Sequence, residues 1–246
     1  MSLSLNETHK LVKDAARGSG MSWGEADELA RAAVWLEVAG LPGLVQATRA
    51  IDEHINQLCA DIELNKEEHW TLGPKFTGGD GRVSALAAAT CAHDLVAGEI
   101  GAGSRKTVLE IRALFLPLIP AGALARLAPA PHQTIHIDVI DPAGETAMTI
   151  SREGGDVRLR QSEANAIQAH PLVDLVVSFT ASGERDTHRD GQCIWSPEIR
   201  QCALGNGLNP DPHALETLQA FAHNCLVPAT EESRLKGAGA GTVDRD

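Results

Sequence analysis

Apolar positions recur at helical spacing along the first sixty residues. Leu5, Leu11, Val12, Ala15 and Ala16 form one stripe. Ser4 and Glu7 have the spacing of a capping box, with Leu3 ahead of them. Gly18 and Gly20 predict the end of this helix. Ser22 and Glu25 repeat the box and open a second helix, which runs to about Ala39 and stops at Gly40. Ala26, Ala30 and Ala33 share one of its faces, so a second helix can approach closely. Pro42 suits the first turn of a third helix, to about Ala60. Residues 1–62 therefore read as an N-terminal helical unit.

The pattern then changes. Residues 63–82 are polar and Gly-rich, and Thr77-Gly78-Gly79-Asp80-Gly81-Arg82 reads as a loop leading into a helix over about 83–96. That loop matches neither a P-loop nor the dinucleotide fingerprint. Gly98–Gly103 reads as a further loop, Thr107–Leu116 as a strand, and Pro117–Pro131 as a connector with a short helical turn. Strict alternation follows. Ile135, Ile137 and Val139 alternate with Thr134, His136 and Asp138; Met148 and Ile150 with Thr149 and Ser151; Val157 and Leu159 with Arg158 and Arg160. With turns at Pro142–Glu145 and Glu153–Asp156, this predicts an antiparallel meander with one wet face, where His136 and Asp138 are more exposed than the isoleucines. Val173, Leu175, Val177 and Phe179 predict another strand. Gly191–Leu204 reads as one more, interrupted near Pro197, and Pro212–Cys225 as a closing helix.

Helices followed by runs of strands point to an α+β fold: an N-terminal helical unit (1–62) packed on a mixed or antiparallel sheet with flanking helices, the body being 63–246 with a Gly-rich C-terminal tail. A chain of 246 residues is long enough to bury a sizeable core.

A formal net charge of -12 argues against a nucleic-acid scaffold and against an anionic membrane surface. The chain has no Tyr, four Phe and four Trp, too few to build a stacking platform for bases. Its five cysteines include no Cys-x-x-Cys pair, so a zinc ribbon or redox motif is unsupported, and a reducing cytoplasm fits. No signal peptide and no spanning apolar run is present, so a cytoplasmic location is expected.

Three constellations carry candidate chemistry. His132, His136 and Asp138 share a strand face, where His136 is a candidate for moving a proton; neither their number nor their spacing is that of a metal site. Cys91, His93 and Asp94 lie late in one helix, and His93 is the second candidate proton carrier; Cys91 reads as a small buried cysteine, because positions two apart face different sides of a helix. Arg158 and Arg160 share a strand face, suited to clamping a carboxylate or to solvating the sheet. The tail adds Ser233, Arg234, Gly237, Gly239 and Gly241, a cation and backbone N–H groups without side-chain obstruction, as a candidate anion-binding stretch or a disordered end.

Both ends of the chain resemble one family. Ser4-Leu5-Asn6-Glu7, Ala15-Ala16-Arg17-Gly18-Ser19-Gly20 with Trp23-Gly24 and Ala26, and Val227-Pro228-Ala229-Thr230 with Ser233-Arg234 and Gly237-Ala238-Gly239-Ala240-Gly241 are similar to the uncharacterised bacterial family catalogued as domain of unknown function 3726. The ending Asp244-Arg245-Asp246 departs from that family's Asp-Asn-Asp. The first fifty residues more faintly resemble the malate/L-lactate dehydrogenases that lack a standard Rossmann domain. Where that group carries Ser-His-Gly, this chain has Leu41-Pro42-Gly43, so the catalytic histidine is missing and the activity does not follow from the resemblance. The expectation is an enzyme, or an enzyme subunit, acting on a small carboxylate-bearing metabolite; the alternative is a non-catalytic partner or assembly subunit whose tail docks into another chain. A small-molecule anion is the candidate ligand, and the cofactor and the choice between homo-oligomer and partner-subunit assembly stay open.

Overall fold

The computed structural model describes residues 2–75, 81–104, 107–129, 133–161, 172–181 and 191–225. The N-terminal helices are α1 (Leu5–Gly18), α2 (Trp23–Val38) and α3 (Gly43–Ile55). Both capping boxes form: the Ser4 and Ser22 hydroxyls accept from the N–H groups of Glu7 and Glu25, whose carboxylates reach back to the cap backbone. The alanine face of α2 is packed as its spacing predicts, with Ala26, Ala30 and Ala33 all buried.

The third helix stops earlier than expected, at Ile55, and Gln57 turns the chain at φ 50. Residues 63–75 are not a simple loop, and most of the loop expected at Thr77–Arg82 lies outside the described residues. Strands β1 (Ile62–Lys66) and β2 (Trp70–Pro74) form an antiparallel hairpin there. Strand β1 is an edge strand, and after Ile62 its side chains are all exposed, Leu64 included. Helix α4 (Ala85–Gly101) then runs through Gly98, where a loop is expected; neither Gly98 nor Gly101 has a close neighbour to disturb. Next come β3 (Val108–Leu114) and α5 (Leu118–Ala125), where the expected short turn is a helix buried along its whole length.

The meander is β4 (Gln133–Ile140), β5 (Thr146–Glu153) and β6 (Asp156–Gln161). Strand β7 (Val173–Ala181) and the short β8 (Gln192–Trp195) complete the sheet. The chain between Ser196 and Asn206 is helical rather than a strand broken at Pro197. Pro197 opens α6 (Pro197–Asn206), because a proline in the first turn loses no hydrogen bond, and the Ser196 hydroxyl caps it. Helix α7 (Pro212–His223) ends the described chain.

The eight strands are ordered β1-β2-β3-β7-β4-β5-β6-β8, antiparallel throughout except for the parallel β2–β3 pair. This is an α+β arrangement with a mixed sheet. One sheet face is a continuous apolar band: Leu109, Val177, Ile137, Ile150 and Leu159 lie abreast, with Ile111, Leu175, Val139 and Met148 beside them. Helices α4 and α5 cover that face. The Arg152 guanidinium, which belongs to it, donates to the Ala125 carbonyl at the end of α5. Helix α2 packs over α5, and α1 packs between α2 and α7, so the apolar core extends from Val12 to Leu218.

Candidate functional site

The opposite face of the sheet is polar. Strand register sets two rows across it. The first runs Val108, Ser178, His136, Ser151, Arg158, Cys193 over β3, β7, β4, β5, β6 and β8. The second runs Glu110, Val176, Asp138, Thr149, Arg160. Neighbours within a row are about 5 Å apart and the rows about 7 Å apart, as pleated strands require. His136 and Asp138 thus sit on one face, as do Arg158 and Arg160.

The exposure expected for this face is corrected. Ile135, Ile137 and Val139 are buried, but His136 is too, at 0% exposure. Thr134, Thr149 and Ser151 are likewise buried. Alternation reports which residues share a face, not whether that face is wet, and here both faces of β4 and β5 are covered. Such burial demands satisfied polar atoms. The Thr149 hydroxyl donates to an Asp138 carboxylate oxygen at 2.7 Å. The Arg158 guanidinium donates to the Gly191 carbonyl at 3.1 Å. The Ser178 hydroxyl, abreast of His136, is buried with no hydrogen-bond partner among the described residues. At the end of the second row a hollow of about 330 Å³ is lined by Thr146, Met148, Thr149, Arg160 and Gln161. Arg160 is its one charged side chain. At the β3 end, Arg112 donates to Glu110 at 2.9 Å and His69 lies 3.4 Å from the same carboxylate oxygen. The Arg112 guanidinium, and after it His69, hold the Glu110 carboxyl below its ordinary range against the opposing effect of burial.

The two candidate proton carriers are not brought together. His93 lies on α4, on the apolar side of the sheet, half-exposed and 3.5 Å from Asp94. Its neighbour Cys91 is partly buried, and burial pushes its thiol up. His132 and the tail residues Ser233, Arg234, Gly237, Gly239 and Gly241 lie outside the described residues. Among the described residues no group of three or more His, Cys, Asp or Glu is placed to hold a metal ion. Ser178, Ser151 and Thr149 were absent from the sequence-derived candidates. Their signal was available, since each is the polar partner in an apolar alternation, but only strand order puts them beside His136.

Leu41-Pro42-Gly43 forms the junction between α2 and α3. Glu37 takes the Leu44 N–H at 2.8 Å and so caps α3 in place of a side chain from Pro42. Burial pushes the Glu37 carboxyl up. The backbones of α2 and α3 touch here, and a Cβ on Gly43 would lie 2.1 Å from the Ala33 carbonyl oxygen.

The fold is similar to those of several solved dehydrogenases and a reductase. A putative malate/lactate dehydrogenase from E. coli superposes with a TM-score of 0.56 at 11% identity, over 96% of this chain and 98% of that one. The delta1-piperideine-2-carboxylate reductase from Pseudomonas syringae pvar. tomato gives 0.58 at 12% identity, over 90% and 99%. The sulfolactate dehydrogenase from Methanocaldococcus jannaschii gives 0.57 at 12%, over 92% and 97%. In sequence the chain resembles the family described as Protein of unknown function (DUF3726), whose model matches residues 3–71. No curated protein matches it. No helix among the described residues is long and apolar enough to cross a membrane.

Proposed function

We propose that this protein binds a small carboxylate-bearing metabolite on the polar face of its sheet, as an enzyme or as a subunit of one. The observation that carries this reading is the row Ser178–His136–Ser151–Arg158, buried at His136 and Ser151, on the sheet face opposite α4 and α5. A buried imidazole flanked by two hydroxyls, in a row that ends at a guanidinium, is a set of groups able to hold and move a proton. Arg160, in its hollow with two threonines and no acid, binds the carboxylate; the planar guanidinium matches that group's geometry. His136 moves the proton. Ser233, Arg234 and the backbone at Gly237, Gly239 and Gly241 belong to the same reading as further anion contacts. The fold neighbours named for malate, lactate, sulfolactate and delta1-piperideine-2-carboxylate support a carboxylate as the ligand class.

The test is a thermal-shift panel of malate, lactate, sulfolactate and inorganic phosphate on wild type, Arg160→Lys and His136→Gln. A ligand at 100 times its Kd stabilises the native state by about 2.7 kcal/mol, which raises Tm by roughly 5–10 °C in a chain of this size. At least one carboxylate is expected to do this for wild type, with Arg160→Lys losing most of the shift. A flat panel, or the same shift in Arg160→Lys, refutes the site.

A further inference from the structure

Strand β1 closes one end of the sheet, with β2 on one side of it and no strand on the other among the described residues. The Asp61 carbonyl accepts the Lys75 N–H at 2.6 Å, and the Glu67 N–H donates to the His69 carbonyl at 3.2 Å. Antiparallel bonding engages every second residue, so Glu63 and Asn65, opposite Gly73 and Thr71, bond to β2. Ile62, Leu64 and Lys66 then turn their N–H and carbonyl groups to the open side. No proline and no register shift interrupts β1, so nothing in its backbone blunts that side. The other end of the sheet differs: β8 is four residues long, and its pairing with β6 carries a register shift. Exposed apolar surface gathers at the β1 end too. Ile55, Leu58 and Leu64, 45%, 39% and 41% exposed, are three of the five exposed large hydrophobics among the described residues. His54 and Gln57 line one cleft with Ile62, so the segment carrying Ile55 and Leu58 lies beside the start of the strand.

We propose that β1 pairs with β1 of a second copy of this chain, joining the two sheets across a two-fold axis. Identical strands related by such an axis run antiparallel, and the contact closes at two copies. With Leu64 opposite the partner's Leu64, Ile62 faces the partner's Lys66. Every outward residue then meets an outward residue, and each pair exchanges two bonds. Charge selects this register. It sets Glu63 against the partner's Asn65, whereas a shift of two residues sets Glu63 against the partner's Glu63 in one direction and the partner's Glu67 in the other. Asp61 and Glu67 oppose each other only outside the strand, where both are exposed and solvent screens them. Leu64 lies on the sheet face of Leu72 and Ile111, so contact between the two leucines on the axis removes apolar surface from water. The Lys66 ammonium lies 4.4 Å from the centre of the Trp70 ring, and its apolar stem is free to cover the partner's Ile62. A strand from an unrelated protein gains the same backbone bonds but not this self-match. The proposal does not rest on the carboxylate site.

The test is the mass of the full chain in solution, by light scattering on a sizing column, over about 1–100 μM, a range that reveals a dimer of micromolar Kd. The variants are Leu64→Lys and Leu64→Cys. Leu64 is exposed and its backbone groups face away from β2, so both variants keep the fold, which far-UV circular dichroism checks. Wild type is expected to have twice the mass of one chain. Leu64→Lys, which sets ammonium against ammonium on the axis, is expected to have the mass of one chain at the same concentrations. Residues in a bonded antiparallel pair have Cα atoms about 5.5 Å apart, within reach of a disulfide. Mild oxidation of Leu64→Cys is therefore expected to yield a covalent dimer on a denaturing gel, and the same treatment of wild type, with its five cysteines, is not. A monomeric wild type overturns the proposal. So does a Leu64→Lys protein that remains dimeric, or a Leu64→Cys protein that cross-links no more than wild type.

Discussion

At the scale of single residues, close packing decides what a glycine is for. Gly43 brings α3 against α2 at a distance no side chain permits. Gly24, in the first turn of α2, has nothing within 4 Å of the place a Cβ would take. Gly43→Ala is therefore expected to destabilise by about 1–3 kcal/mol, since the helices must separate or the backbone shift. Gly24→Ala is expected to stabilise by about 0.4–1 kcal/mol, by restricting the unfolded chain at a helical position that tolerates alanine. Urea midpoints for the two variants check both; a neutral Gly43→Ala would show that the α2–α3 contact is looser than described. His136 teaches a related point. Its strand position was legible from alternation, but its burial was not, because the covering of a sheet face is a property of distant chain.

At the scale of elements, capping and strand pairing set the acid response. The Ser4 backbone N–H, then its hydroxyl, holds Glu7 below the ordinary 4.5; the Ser22 hydroxyl, then its backbone, does the same for Glu25. Glu99, on α4, is lowered by Ser104 first, then by Trp70 and Thr107, tying the end of that helix to β2 and the entry to β3. Each of these carboxyls has a lower pKa folded than unfolded. Their contribution is complete above the unfolded value and is lost as pH falls through the folded one. Stability against urea should therefore decline from about pH 5 downward. Glu25→Gln should start from a lower plateau at pH 7 and decline less steeply over that limb. Parallel limbs in the two proteins would show that the second box adds nothing in solution. The hairpin β1–β2 was missed at this scale although Ile62 and Leu64, then Trp70 and Leu72, alternate with polar residues: two apolar positions per strand are too short a run to stand out in a polar, Gly-rich stretch.

At the scale of the whole molecule, one core joins the N-terminal helices to the sheet. Trp35 of α2 stacks on Trp195 of β8, with ring centroids 5.7 Å apart and planes 25° from parallel. These two rings come from opposite ends of the described chain. Tryptophan fluorescence and far-UV circular dichroism are accordingly expected to report a single, coincident unfolding transition. Two separated transitions would mean that residues 1–62 melt as a unit of their own. Removal of Trp195 by Trp195→Leu should quench the stacking signal while leaving one transition.

The sequence by itself determined the first two helices and their caps, the meander, and the faces of its strands. Those depend on short-range spacing: three or four residues in a helix, two in a strand. It also marked Arg158 and Arg160 as a pair on one face. Only the tertiary structure decided that Ser178, His136, Ser151 and Arg158 lie abreast, because strand order places β7 beside β4 although thirty-odd residues separate them in the chain. It alone separated His93 from His136 by the thickness of the sheet. It alone left β1 at the edge of the sheet. Long-range contacts are set by how the whole apolar surface is buried at once, and no local window of sequence holds that information.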